Sequence, residues 1–141
     1  MARADFYLIA KPRFREDPLL LVRELVRKAW AAELWMLVLA RDAAQAERLD
    51  DLLWDTGEDE FIPHQIAGRE VQDEDTPVLI AAPDADAPMR PLVLNLRDAP
   101  VAGGFERVLE VVPADESARG PLRERWKHYK AQGLELSKHD M

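Results

Sequence analysis

Short apolar runs along the chain predict the strands of a sheet. Five such runs lie at residues 6–10, 34–40, 77–82, 92–96 and 107–112. Their length and their aliphatic and aromatic content are typical of buried strands. The run at 34–40 is apolar throughout, which favours a central parallel strand that is covered on both faces.

Apolar residues at helical spacing predict three helices between and after these runs. A helix is predicted over residues 17–33, because Asp17 followed by Pro18 is a typical helix start. A second begins after Asp42, which has Gln45 three residues later as in a capping box, and ends near Trp54. The last helix is best defined over residues 122–132, where Gly133 is placed to end it.

The alternation of strands and helices predicts the fold class α/β. We expect a single domain over residues 1–136, with a Rossmann-like open, mainly parallel sheet flanked by helices. The acidic stretch after Trp54, which runs through residues 61–64 to Gly68, is interpreted as a connector. Residues 137–141 are predicted to form a mobile C-terminal tail.

The sequence lacks the motifs of several kinds of binding site and catalytic site. The turn after the first strand, residues 11–16, has no glycine, so neither a dinucleotide fingerprint nor a Walker loop is present. The chain has no cysteine, and its three histidines lack metal-site spacing. We expect no catalytic residue, no cofactor and no metal, and interpret the acidic clusters at 58–60 and 73–75 as solvated loop charge.

The apolar runs also fall short of the roughly 20 residues that a membrane span needs. Residues 1–10 carry Asp5 and lack the pattern of a secretory signal. These observations predict a cytoplasmic protein without a membrane partner.

Charge is divided unevenly along the chain. The net charge of −8 disfavours a general nucleic-acid binder, since such proteins present a broad basic field to the phosphates. Residues 119–130 nevertheless hold five basic residues and one acidic residue, a net +4, whereas residues 41–75 hold three basic and twelve acidic residues, a net −9.

The basic part of the last helix is a candidate binding site. Arg123, Lys127 and Lys130 share one helix face, and Trp126 lies beside them. Such a stripe can bind an acidic peptide through ion pairs and an aromatic wall. The alternatives are a core tryptophan with solvated bases, or a module that binds single-stranded nucleic acid directly.

A second candidate lies in the acidic connector. Large apolar residues occur there either to cover the sheet edge or to dock another protein. They are Trp54, Phe61, Ile62, Pro63 and Ile66. A small hydrolase that uses His64 with nearby acids is a less favoured alternative, since it requires a pocket that holds these groups together.

Four segments, in their order and spacing, resemble the chi subunit family of bacterial DNA polymerase III, an accessory protein of the clamp loader. The segments are residues 6–8, residues 45–50 with 53–54, residues 61–64 with 67–68, and residues 123–127 through 133. Trp126 stands where the family usually has a tyrosine.

The resemblance implies a Rossmann-like sheet without a nucleotide site and an adaptor without catalytic activity. It implies binding to the acidic C-terminal tail of single-stranded DNA-binding protein and, through a separate surface, to the psi subunit, so that nucleic acid is contacted only indirectly. The residues implied for the tail are Arg123, Trp126, Lys127, Lys130 and Gly133. Trp54 and Phe61, with Ile62 and Pro63, are implied for psi or for a helicase of the iron-sulfur type.

Overall fold

The computed structural model describes residues 2–55, 61–68 and 75–141. Within these ranges the chain forms four α-helices and seven β-strands. In chain order they are β1 Arg3–Leu8, α1 Pro12–Glu16, α2 Pro18–Ala31, β2 Met36–Leu39, α3 Ala43–Trp54, β3 His64–Ile66, β4 Val78–Ala81, β5 Leu92–Asn95, β6 Arg107–Val112, α4 Arg119–Ala131 and β7 Glu135–Asp140.

The strands of these ranges form one seven-stranded sheet in the order β3-β4-β2-β5-β6-β1-β7. Every pairing is parallel. The predicted α/β class and open parallel sheet are therefore confirmed. The central strands β2, β4 and β5 are buried almost throughout, which explains their continuous apolar sequence.

Helices cover both faces of the sheet. Helices α1, α2 and α3 pack on one face, where they bury residues such as Phe14, Val22 and Leu49. Helix α4 packs on the other face through Tyr129, against a cluster that includes Phe6 and Val108. Within the described ranges no helix has the length and apolarity that a bilayer crossing requires.

The helix boundaries follow local signals. Asp17 caps α2, since its carboxylate accepts a hydrogen bond from the amide of Leu19, and Asp42 caps α3 through the amide of Gln45. The helix predicted over 17–33 is shorter at its end and is preceded by α1. Gly133 has a φ of 81°, the left-handed conformation that favours glycine, and ends α4 as predicted.

Two predicted irregular segments form the edge strands of the sheet. Part of the predicted connector is β3, which pairs with β4 from His64 to Ile66. Residues 137–140 of the predicted mobile tail belong to β7, which pairs with β1 along six residues. The amide of Met141 also donates to the carbonyl of Leu8, which extends the anchoring to the last residue.

Candidate functional site

Helix α4 is held on the sheet by a buried polar network. Glu110 of β6 is fully buried, and its carboxylate lies 2.9 Å from Arg125 Nε. The hydroxyl of Tyr129 donates to Glu110 over 2.6 Å and accepts from the amide of Val101 over 2.9 Å. Asn95 on the neighbouring strand donates to the same carboxylate over 2.9 Å. Four polar side chains from β5, β6 and α4, together with the amide of Val101, therefore fix the rotation of α4.

Burial and hydrogen bonding shift the pKa of Glu110 in opposite directions. Burial raises the pKa of Glu110 to about 7, while Arg125 and the donors Asn95 and Tyr129 favour the ionised form. Burial beside Glu110 also raises the pKa of the Tyr129 hydroxyl far above its ordinary value. Arg125, counted among the bases of the helix by sequence, is thus an internal partner of Glu110 and is not available to a ligand.

Next to this network, α4 forms a groove with β7. The groove has a volume of about 270 Å³ and is lined by Leu122, Arg123, Trp126, Lys127 and Lys138. Three of its five lining residues are cationic, and the other two supply an apolar floor. Hereafter this is the α4–β7 groove.

Trp126 is half-buried and joins the groove to the core. Its ring centroid lies 5.1 Å from that of Phe6, which is fully buried on β1. Lys138 Nζ lies 5.6 Å from the centre of the indole ring, within the range of a cation–π contact. The ring thus packs on the core while part of its surface remains accessible.

The structure brings together three of the five residues predicted for the acidic tail, namely Arg123, Trp126 and Lys127. Lys130 is exposed on the same helix but does not line the groove. Gly133 lies beyond the helix, where its positive φ ends α4 and directs the chain into β7. The contribution of Gly133 is therefore conformational.

Lys138 is a lining residue that the sequence interpretation missed, because it lay within the predicted tail. A signal is present in the sequence: Leu134 and Leu136 alternate with polar residues, as in a strand with one buried face. Both leucines pack against the core cluster beneath α4. Lys138 continues this alternation and so faces the groove.

Strand β7 is anchored from its other face. His139 Nε2 lies 3.0 Å from Asp5 Oδ1 on β1, and its ring stacks on Tyr7 at 4.8 Å. Asp5 also accepts from Arg107 over 2.7 Å and from Arg3 over 3.0 Å. Burial raises the pKa of Asp5, but these hydrogen bonds outweigh it and lower the value to about 2.

The second predicted site divides into exposed and buried parts. Trp54 is 60% exposed and Phe61 is 49% exposed, and their ring centroids lie 5.1 Å apart. Ile62 is buried in the core, and Pro63 is partly buried with its carbonyl accepting from Val78. The accessible surface here consists of Trp54 and Phe61, hereafter the aromatic patch.

His64 supports the aromatic patch from inside. Its Nδ1 lies 2.7 Å from the carbonyl of Ile62, and its Nε2 lies 3.3 Å from Asp50. The ring of Trp54 meets the imidazole edge-on at 5.1 Å. A buried histidine with these contacts positions the chain between α3 and β3.

No group of three or more metal-ligating side chains occurs in the part of the chain that the structure describes. Of the two acidic clusters singled out in the sequence, residues 58–60 and 73–74 lie outside the described ranges. Asp75 alone is described.

The fold and the groove define a class of protein: an α/β protein with an open Rossmann-like sheet whose candidate site is a cationic surface groove. Residues 1–137 match the family described as DNA polymerase III chi subunit, HolC. The chain belongs to this family.

Known relatives agree with this membership. The chain is 35% identical over 145 residues to DNA polymerase III subunit chi of Escherichia coli, covering 97% of each protein. It is 33% identical over 143 residues to the subunit of that name from Pseudomonas aeruginosa, covering 99% of this chain and 96% of the relative.

A solved structure shares the fold. The C-terminal domain of the DEAD-box protein Dbp5 superposes with a TM-score of 0.67 over 99% of this chain and 91% of that domain, at 15% identity. At this identity the likeness concerns the fold alone.

Proposed function

We propose that this chain is a non-catalytic adaptor of the bacterial replisome. In this proposal the α4–β7 groove binds the acidic C-terminal tail of single-stranded DNA-binding protein, and the aromatic patch binds the psi subunit of the clamp loader or a helicase in its place. The observation that carries the proposal is the composition of the groove, with an accessible indole and Leu122 bordered by three cations.

The groove suits a peptide that combines carboxylates with a terminal aromatic residue. An aromatic side chain of the tail would pack on Trp126 and Leu122, while its acidic residues pair with Arg123 and Lys127 and, further along the helix, with Lys130. A disordered tail loses conformational entropy when it binds, so a moderate affinity and rapid exchange are expected. Both properties suit a tether that must release as replication advances.

The aromatic patch suits an apolar protein partner. Exposed aromatic residues that lie in contact are frequent centres of protein interfaces. Trp54 and Phe61 lie at the end of α3 and before β3, so a partner that covers them would not approach α4, which packs on the opposite face of the sheet. One molecule could then hold both ligands at once.

Binding of the acidic tail to the groove is tested by titrating the protein with a fluorescent acidic peptide that ends in proline and phenylalanine. A second titration uses the same peptide without the phenylalanine. We expect Lys127→Glu to weaken binding at least tenfold, on the order of 1.4 kcal/mol, by reversing one groove charge. Its melting temperature should barely change, since the Lys127 side chain is 74% exposed. Added salt should weaken binding by screening the groove cations.

Lys28→Glu on α2 is the matched control, because Lys28 is exposed on the face of the sheet that α4 does not cover. Equal weakening by the two variants, or equal binding of the peptide without phenylalanine, would contradict a groove site. Tight binding of a bare single-stranded oligonucleotide would favour the direct nucleic-acid alternative instead.

The patch is tested with a double variant, Trp54→Ala with Phe61→Ala, in a pull-down with the psi subunit. We expect loss of psi and unchanged affinity for the acidic peptide. Loss of both ligands together with a lowered melting temperature would mean that the two rings serve the fold.

A further inference from the structure

A further cavity lies at the carboxyl ends of the central strands. It has a volume of about 330 Å³ and shares no lining residue with the α4–β7 groove or the aromatic patch. Its lining includes Arg41 after β2, Arg97 after β5 and Pro113 after β6. The start of α2 at Pro18 and the N-cap of α4, Ala118, also contribute. Hereafter this is the strand-end cavity.

The strand-end cavity lies where the connections of the sheet change face. Strand β1 is followed by α1 and α2 on one face, its neighbour β6 is followed by α4 on the other, and α2 and α4 both line the cavity. Open α/β sheets bind ligands in the crevice that such a change of face leaves at the carboxyl ends of the strands. The volume of about 330 Å³ is at the lower end of the roughly 300–1,000 Å³ of small-molecule sites, which suits a ligand of mononucleotide size.

Arg97 reaches across the ends of two central strands. Its Nε donates to the carbonyl of Ala40 over 2.8 Å, and its Nη2 donates to the carbonyl of Ala81 over 2.9 Å. Within the described ranges no carboxylate pairs with Arg97. Burial lowers the pKa of its guanidinium below the ordinary value, because the cation loses water without gaining an acid. The two carbonyls therefore hold Arg97 in place and leave its charge uncompensated.

Arg41 adds a second cation to the same cavity. Its amide donates to Gln45 Oε1 over 2.7 Å, which fixes the backbone before α3. Its side chain is exposed and, like that of Arg97, forms no ion pair in the part of the chain that the structure describes. Guanidinium groups bind phosphate oxygens in pairs, and a phosphate monoester carries a charge of about −1.5 to −2 at neutral pH. Two arginines match that charge.

The other charged residues of the cavity do not cancel this pair. Arg125 lies 2.9 Å from the buried carboxylate of Glu110, so its charge is already balanced. The acids of the lining, Asp98 and Asp115, are both exposed, and Asp115 accepts a hydrogen bond from the amide of Ser117 over 3.0 Å. Solvent and salt screen exposed charges more than partly buried ones, so the half-buried guanidinium of Arg97 is weakened less than the acids.

We propose that the strand-end cavity binds a small phosphorylated molecule of mononucleotide size, with its phosphate held by Arg97 and Arg41. Apolar residues of the lining, among them Leu96 and Val111, contact the organic part of the ligand. The family resemblance implies a sheet without a nucleotide site, and the cavity departs from that expectation by using arginines where nucleotide-binding sheets use a glycine-rich turn. The site is separate from the groove and does not rest on the proposed function.

The experiment is a calorimetric titration of the unmodified protein with adenosine monophosphate and with uridine monophosphate. Adenosine and uridine, which lack the phosphate, and inorganic phosphate, which lacks the organic part, are titrated in parallel. We expect at least one nucleotide to bind about tenfold more tightly than its nucleoside and than inorganic phosphate. Failure of both nucleotides to bind, or equal binding of the nucleosides, would overturn the inference. Equal binding of inorganic phosphate would also overturn it, because the organic part would then have no role.

Substitutions of the two arginines locate the site. Arg41→Gln removes one charge from an exposed side chain and should weaken nucleotide binding about tenfold with an unchanged melting temperature. Arg97→Met should weaken binding at least as much. Since Arg97→Met also loses the hydrogen bonds to two strand ends, circular dichroism checks its fold, and Arg41→Gln decides alone if that variant does not fold.

Arg48→Gln is the matched control. Arg48 is an exposed arginine of α3 that does not line the strand-end cavity. Its substitution should leave nucleotide binding unchanged. If Arg48→Gln weakens binding as much as Arg41→Gln does, the nucleotide is attracted by surface charge in general and the site is refuted. The titrations contain no peptide, so their outcome is independent of the function proposed for the groove.

Discussion

The α4–β7 groove and the aromatic patch each present a tryptophan, but they attach it to the fold in different ways. Trp126 is half-buried, packs on the buried ring of Phe6 and is surrounded by cations. Trp54 is 60% exposed and contacts Phe61, itself exposed, and the edge of His64. The groove is thus continuous with the core, whereas the patch lies on the outside of it.

Because of this difference, the two surfaces should respond differently to substitutions. The groove depends on the placement of α4 and β7, and this placement depends on two buried acids, Glu110 and Asp5. The patch depends on its two rings and on the chain that His64 holds between α3 and β3. A substitution in the core should therefore affect the groove more than the patch.

The largest effect should come from removing the acid beneath α4. Glu110→Ala leaves Arg125 buried without its partner, and breaking a buried pair in this way costs about 3–5 kcal/mol. The measurement is urea denaturation of the purified variant, beside peptide binding and psi binding at a temperature where it is folded. We expect peptide binding to suffer more than psi binding, because the network holds α4.

Glu124→Ala is the matched control for this variant. Glu124 is also a glutamate in contact with a base of α4, but both side chains are about three-quarters exposed and their charged atoms lie 3.9 Å apart. Exposed pairs of this kind contribute about 0–1 kcal/mol. Equal costs for the two variants would refute the role given to the buried network.

A smaller effect should separate the two tryptophans themselves. Trp126→Ala removes a ring that packs on Phe6 and should lower the free energy of unfolding by about 2 kcal/mol, since half-burial gives only part of the 3–5 kcal/mol of a core aromatic. Trp54→Ala should cost less than about 0.5 kcal/mol, as for an ordinary surface change. Denaturation curves of both variants test this, and equal costs would remove the distinction between core-linked and external aromatic surfaces.

A similar contrast, between the interior and the edges of the sheet, explains which strands could be predicted from the sequence. The central strands are covered on both faces, so their residues form apolar runs that are readily recognised. The two strands whose character was not predicted, β3 and β7, are the two edges of the sheet. Edge strands carry polar and charged residues that discourage pairing with other chains, so they lack a continuous apolar run, and in β7 only the weaker alternation around Leu136 is left.

The candidate sites were predictable to the extent that they depend on local spacing. Helical periodicity places Arg123, Trp126 and Lys127 together, and the structure agrees. The place of Lys138 in the groove depends on the position of β7. The burial of Arg125 depends on its pairing with Glu110 of β6. The sequence of the helix alone indicates neither of these. The apolar run around Glu110 does contain one indication, because a buried acid requires a partner.

The last effect depends on pH and concerns Asp5, the acid that anchors β7. The pKa of Asp5 is lowered to about 2, from 3.8 in the unfolded chain, by its contacts with Arg3, His139 and Arg107. A carboxyl with a lowered folded-state pKa stabilises the fold above its unfolded pKa and loses that contribution as the pH falls. Asp5 should therefore contribute up to about 2 kcal/mol above pH 4, decreasing between pH 4 and pH 2.

Acid denaturation of the unmodified protein and of Asp5→Asn tests this contribution. The stability difference between the two should be largest near neutral pH and should shrink as the pH approaches 2, because the carboxyl becomes neutral in both states. Asp140→Asn is the matched control, since Asp140 is an exposed residue of β7 itself. If Asp5→Asn and Asp140→Asn follow the same pH profile, the anchor of β7 lies elsewhere. If only Asp5→Asn differs, the strand that carries Lys138 is held by a buried acid, as α4 is held by Glu110, and both walls of the groove are fixed from within the core.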